Sequence, residues 1–234
     1  MKAITLSFAL VLAAASNLQA DVIYAPTPIG SSPRTSDYGS SGGSGFRTFD
    51  NFTPSVSANV ETLSWRGLYF GDVIPAAAPS ADVLNWEIAF YADSSGVPGS
   101  QLAFESFAAA DVASNFVGTG VLNAGGSYNV SLYDYSVTLT NPFTVTGGTQ
   151  YWFSVLSRSS SFNPTFALLG ATGGDDLSYQ QLLGSNLSVL SGTDVARDRA
   201  VILEGTPAPE PSTIVLLATA FGTLPLWRRY RRSR

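Results

Sequence analysis

The sequence predicts an all-β body, a β-sandwich of jelly-roll-like make, set between an N-terminal signal peptide and one C-terminal transmembrane helix. Three observations predict the body. Several windows alternate apolar and polar residues with period two, the pattern of a half-buried strand. Gly, Ser, Thr and Asn recur at short intervals, as turns between strands require. No window of a dozen residues between the two ends carries an apolar stripe of helical period. Eight or so strands with short turns, no helices and no internal repeat favour two packed sheets over a propeller or solenoid. An immunoglobulin-type sandwich fits the same pattern, and alternation alone does not choose between the two.

Residues 1–20 form the first element. Lys2 and the amino terminus make a small basic start, and residues 3–15 are an apolar run of secretory-signal length. That run is too short to span a bilayer. Cleavage is expected after Ala20, with Leu18 and Ala20 at the third and first positions before the cut. Residues 21–45 read as a flexible N-terminal segment that closes on the polar, glycine-rich stretch YGSSGGSG at 38–45.

The sandwich domain is expected over 46–204. Its clearest strand is 84–92, where Trp86, Ile88 and Phe90 alternate with Glu87, Ala89 and Tyr91. In 59–70, Val60, Thr62 and Ser64 face one way and Glu61, Leu63 and Trp65 the other, with Gly67 marking a bulge or bend. Residues 128–139 set Val130, Leu132 and Asp134 against Ser131, Tyr133 and Tyr135. Residues 150–158 set Tyr151, Phe153 and Val155 against Trp152, Ser154 and Leu156. A short final strand falls at 199–204, and weaker strands at 46–52, 102–107 and 164–169. Residues 108–113 suit a turn of helix. Residues 205–211 are Pro-rich and predict an extended linker that holds the domain off the membrane.

Residues 212–234 complete the chain as a transmembrane segment and basic tail. An apolar run from Ile214 to Trp227 would span about 21 Å as a helix. That is short of a hydrocarbon core of roughly 30 Å, a mismatch that snorkelling arginines can cover. Arg228, Arg229, Arg231, Arg232 and Arg234 follow, so five of the twelve Lys+Arg residues lie in the last seven positions. Arginines at this end favour its cytoplasmic placement and put the body on the other side of that membrane.

Motif, apolar segment and basic end, in that order, resemble a PEP-CTERM sorting domain, the substrate signal of exosortases in Gram-negative bacteria. The matching residues are Pro209, Glu210 and Pro211 with Ser212 and Thr213, the run 214–227, and the arginines from Arg228. The resemblance covers about 207–234. It implies Sec export, signal peptidase, transient anchoring in the inner membrane and exosortase processing near Pro209–Pro211. It also implies a destination at the cell surface or in the extracellular, exopolysaccharide-rich biofilm matrix. The middle of the chain is similar to a body recurrent in exported proteins with such tails. The residues are Phe49-Asp50-Asn51-Phe52, Leu63-Ser64-Trp65-Arg66-Gly67, Phe90-Tyr91-Ala92-Asp93 followed by Gly96-Val97-Pro98-Gly99, and Gln150-Tyr151-Trp152-Phe153-Ser154-Val155. That likeness implies kinship with β-sandwich surface or adhesion-like modules.

Composition excludes several function classes. Residues 21–206 hold six arginines, no lysine and sixteen acids, a net of −10. Such a surface repels nucleic acid and anionic lipid. Cysteine is absent, which removes disulfides, thiolate nucleophiles and Cys-ligated metal. Histidine is absent too, which removes Ser-His-Asp catalysis and imidazole metal sites. Carboxylate chemistry survives: glycoside hydrolysis by a facing acid pair, or calcium on oxygen ligands.

No catalytic set or cofactor site is expected. Glu61, Glu87 and Glu105 lie in predicted strands, and outward-facing strand carboxylates account for them. Asp93, before Ser-Ser-Gly, and Asp175 with Asp176, after Gly-Gly, are weak calcium candidates. A hairpin loop and a solvated turn explain them as well, and two ligands fall short of the six to eight that calcium takes. Trp65, Trp86, Trp152, Tyr133 and Tyr135 would stack on sugar rings if exposed, but strand placement assigns them to the core. The leading reading is a structural or adhesive surface protein. Its alternatives are a carbohydrate-binding module for exopolysaccharide and a carboxylate-dependent glycan hydrolase.

Overall fold

Aromatic and β-branched residues at alternate positions set the strands, and turns rich in Gly, Ser and Asp end them. The computed structural model describes residues 20–40, 42–70, 82–122, 128–161 and 163–208. The strands run in chain order as β1 (Asp21–Tyr24), β2 (Thr27–Pro28), β3 (Arg34–Thr35), β4 (Asp37–Gly39), β5 (Ser44–Phe52) and β6 (Ala58–Phe70). There follow β7 (Val83–Asp93), β8 (Pro98–Ala108), β9 (Ala113–Leu122), β10 (Tyr128–Val145), β11 (Tyr151–Ser159) and β12 (Thr165–Leu168). The last are β13 (Gly170–Thr172), β14 (Leu177–Leu183), β15 (Val189–Ala196), β16 (Asp198–Arg199) and β17 (Val201–Pro207). Single 3-10 turns stand at Ala109–Asp111 and Ser185–Leu187. The first of them meets the expectation for 108–113. Among the described residues no helix is long and apolar enough to cross a membrane.

Two seven-stranded sheets carry the body. The first has the order β1-β17-β6-β10-β9, with β12 pairing β6 and β3. The second has the order β15-β14-β5-β4-β11-β7-β8. A small three-stranded sheet, β16-β13-β2, lies beside them. The body is all-β, as the periodicity predicts. Trp65, Tyr135 and Phe166 of the first sheet meet Trp86 of the second. Trp65 and Tyr135 stack at 5.5 Å, Trp65 meets Trp86 at 5.3 Å, and Phe166 meets Trp86 edge-on at 4.7 Å. Phe90 of β7 stacks on Phe143 of β10 at 4.4 Å. The two sheets therefore share one core, in which Val60, Leu63, Val155 and Leu203 are fully buried. Each buried ring removes about 150–250 Å² from water, worth several kcal/mol at about 25 cal/mol per Å².

Several expectations are corrected. Residues 21–45 are not a flexible segment: they hold β1–β4, all paired into sheets. Tyr38 is buried under the Arg158 guanidinium, 4.5 Å above its ring. The stretch 38–45 closes the β4–β5 hairpin, in which Tyr38 faces Gly45 and Gly39 faces Ser44. Residues 205–207 are not linker but the end of β17, and Ala208 N–H donates to the Ser57 carbonyl at 2.8 Å.

The bend in β6 lies at Glu61, not Gly67. Glu204 and Gly205 are consecutive, yet they pair Thr62 and Val60, so Glu61 bulges out. The bulge brings Val60, Leu63 and Trp65 to the same face, against the simple alternation. Gly67 keeps regular register with Tyr133. It is needed because a Cβ there would lie 2.3 Å from the Phe166 ring. Strands β9, β14 and β15 lie outside the expected set. Of the calls on the ends, residues 1–19, Pro209, Glu210, Pro211, the segment 212–227 and the arginines 228–234 lie outside the described residues.

Candidate functional site

One group of buried polar residues, Asp50, Asp198 and Arg199, gathers where the two ends of the body meet. Thr48, Asp50 and Phe52 share one face of β5, so alternation carries Asp50 inward beside an aromatic core residue. Asp50 is fully buried. Its Oδ2 accepts from Tyr24 Oη of β1 at 3.0 Å and from Arg199 N–H of β16 at 2.8 Å. Among the described residues its Oδ1 has no hydrogen-bond partner. Burial drives the Asp50 carboxyl well above 3.8, and the Tyr24 phenol is raised for the same first reason.

Arg199 is also fully buried. Its Nη1 donates to the Ser32 carbonyl at 2.9 Å, and its Nη2 donates to the Ala196 and Arg197 carbonyls. Burial lowers its pKa to about 10. Asp198, on the same strand, accepts from Gly174 N–H at 2.8 Å and Asp176 N–H at 2.9 Å, and so shapes the 173–176 loop. This network joins β1, β5, β16 and the loop before β14. The sequence reading missed it. The available signal was an acid at Asp50 with the inward parity of Phe52.

The calcium candidates do not converge. Asp93 Oδ1 accepts from Trp152 Nε1 at 2.8 Å, and both its oxygens receive Gly96 N–H. Ser95 and Gly96 have φ of 59° and 85°, and Ser94 N–H donates to the Val97 carbonyl, the two-residue hairpin turn between β7 and β8. Asp175 Oδ1 accepts from Leu177 N–H and Oδ2 from Asn51 Nδ2. Asp176 pairs with Arg197 at 3.4 Å. Among the described residues no three acidic side chains gather where they would hold a metal.

The three strand glutamates are apart and engaged. Glu61 Oε1 accepts from Thr206 Oγ1 at 2.8 Å. Glu87 lies between Arg47 at 2.8 Å and Arg158 at 3.3 Å. Arg47 also donates to Tyr91 Oη at 3.0 Å. Glu105 accepts from the Thr140 and Asn141 N–H groups. Glu105 pairs Ile88 and Ser106 pairs Glu87, so Glu105 and Glu87 face opposite sides of the second sheet.

The outer face of the first sheet carries a shallow depression of about 300 Å³, lined by Ser64, Arg66, Asn115, Asp134, Ser136 and Ile202 among others. Arg66, Asp134 and Asn115 are cross-strand neighbours. Arg66 Nε and Nη2 grip the two Asp134 oxygens at 2.6 and 2.8 Å, and this pairing raises the Arg66 pKa. Trp65, Trp86 and Trp152 are each 2% exposed, and Tyr133 and Tyr135 are buried as well. None of the five offers a stacking face to a sugar. No family model matches the chain, and no curated protein matches it.

Proposed function

We propose that this chain is an exported surface or extracellular-matrix protein with a structural or adhesive role. An exosortase sorts it through Pro209, Glu210 and Pro211. The body is a jelly-roll-like β-sandwich that performs no catalysis. One observation supports the reading: the paired strands fill the interval between the two segments that the sequence reads as terminal signals. β1 begins directly after Ala20, and β17 ends just before Pro209. The body between them is acidic and free of lysine, histidine and cysteine, which suits a domain that holds itself by packing outside the cell.

The partners of the route are the Sec machinery, signal peptidase, the inner membrane through 212–234, and the exosortase. Exopolysaccharide is the surrounding matrix. The burial of Trp65, Trp86 and Trp152 favours a structural or adhesive role over a carbohydrate-binding module. The test is the intact mass of the surface-recovered protein from an exosortase-bearing host. The expected product begins at Asp21 and lacks Arg228–Arg234. A product that keeps those arginines would make the tail a plain anchor and overturn the sorting reading.

A further inference from the structure

The end of β17 is held along β6 up to the residue before the sorting motif, and by β1 as far as Gly205. Within the first sheet β17 lies between β6 and β1. Gly205 pairs Val60, Thr206 pairs Asn59 and Pro207 pairs Ala58, while Asp21 of β1 pairs Gly205 from the other edge. Ala208 N–H then donates to the Ser57 carbonyl at 2.8 Å. Ser57 is itself fixed, since its Oγ accepts from Gly147 N–H at 3.1 Å. Thr206 Oγ1 donates to Glu61 Oε1. The approach of β17 to β6 leaves no slack: a Cβ on Gly205 would fall 1.8 Å from the Asn59 carbonyl oxygen. Pro209 follows Ala208 directly, so no spacer separates the last held residue from the motif.

A protease takes its substrate as extended chain on both sides of the bond it cuts, with backbone groups free to pair. The backbone of 205–208 is already paired to β6 and the residue before it. We propose that the fold sets the N-terminal limit of the C-terminal processing site. The cut falls on the C-terminal side of Ala208, and a protease engages body-side residues only after the strand end peels from β6. This rests on the sorting reading above. Peeling breaks the Ala208–Ser57 hydrogen bond and the pairs at 205–207, and it opens the contact between Gly205 and Asp21. Processing then tracks the fraction of molecules with this end open, because cleavage of a folded chain follows the open population.

The experiment compares the full chain with one that carries a Gly/Ser spacer of about six residues between Ala208 and Pro209, long enough to free the motif from the strand. Both are expressed in an exosortase-bearing host, tail loss is followed by pulse-chase, and the product is weighed intact. The spacer leaves every body residue in place. The expected result is tail loss roughly tenfold faster with the spacer, as removal of a local opening step allows. The native product is expected to end at Ala208 or beyond. Equal rates, or a native product ending within β17, would overturn this inference while leaving sorting intact. Retention of the tail by both chains would overturn the sorting reading and this inference with it.

Discussion

Asp50 shows how one residue couples the body to pH. Its carboxyl is buried among Tyr24, Asp198 and Arg199, and burial raises its pKa well above 3.8. The unfolded chain releases this proton near 3.8, while the folded chain keeps it to higher pH. Folded molecules thus hold more protons across that window, and stability falls as pH rises through it. Arg199, lowered to about 10, acts only in the alkaline range. Asp50→Asn keeps an oxygen to accept from Tyr24 and Arg199 and removes the titration. Urea midpoints measured from pH 4 upward should fall less steeply in the variant. Asp37, also raised by burial, leaves a residual slope of the same sign. An unchanged slope would show that Asp50 is ionised in the folded body. The sequence exposed Asp50 only as a parity clash with Phe52. The Tyr24 and Arg199 contacts come from segments 26 and 149 positions away, which alternation cannot see.

At the scale of the element, β6 decides the first sheet. It pairs with β17 and β10 along most of its length and with β12 at its end. Its existence was legible from Val60 to Trp65, as β7 and β11 were from their own alternation. The bulge at Glu61 was not, because it arises from the offset between Glu204 and Gly205 on a strand far along the chain. Gly67 was legible as a special position but for the wrong reason. Its missing side chain makes room for the Phe166 ring and the Ala167 carbonyl. Gly67→Val should therefore destabilise the body by about 3 kcal/mol or more, since a rigid ring and the backbone must both move. Chemical denaturation checks this, and a loss under about 1 kcal/mol would mean that Phe166 rotates freely out of the way. Strands β9 and β15 escaped prediction for a related reason. They are edge strands whose side chains are largely exposed, so burial imposes little pattern on them.

Across the whole molecule, the first and last strands of the body close one core. β1 and β17 are antiparallel neighbours, so Asp21 and Gly205 lie side by side. The first four residues after Ala20 do more than cover an edge. Ile23 packs against the shared core, and the Tyr24 ring lies 6.0 Å from both Phe52 and Phe153 while its hydroxyl reaches Asp50. A segment that composition marked as loose is thus part of the fold. Its polar, glycine-rich makeup suits short strands and tight hairpins, which single-sequence periodicity reads as loop. Asp175 and Asp176 lie in the loop before β14 and Asp93 ends β7, positions that alternation brackets, while the network at Asp50 needed the three-dimensional closure. This arrangement predicts that removal of 21–24 is felt by the entire body. A chain beginning at Ala25 loses one core tyrosine, one isoleucine contact and the pairing that covers β17, at a cost of about 2–5 kcal/mol. Urea unfolding of purified bodies ending at Ala208 measures it. The expected outcome is a lower midpoint in a single transition, because both sheets share the core that Tyr24 enters. A separate early transition, with the main midpoint unchanged, would instead make β1 an independent flap.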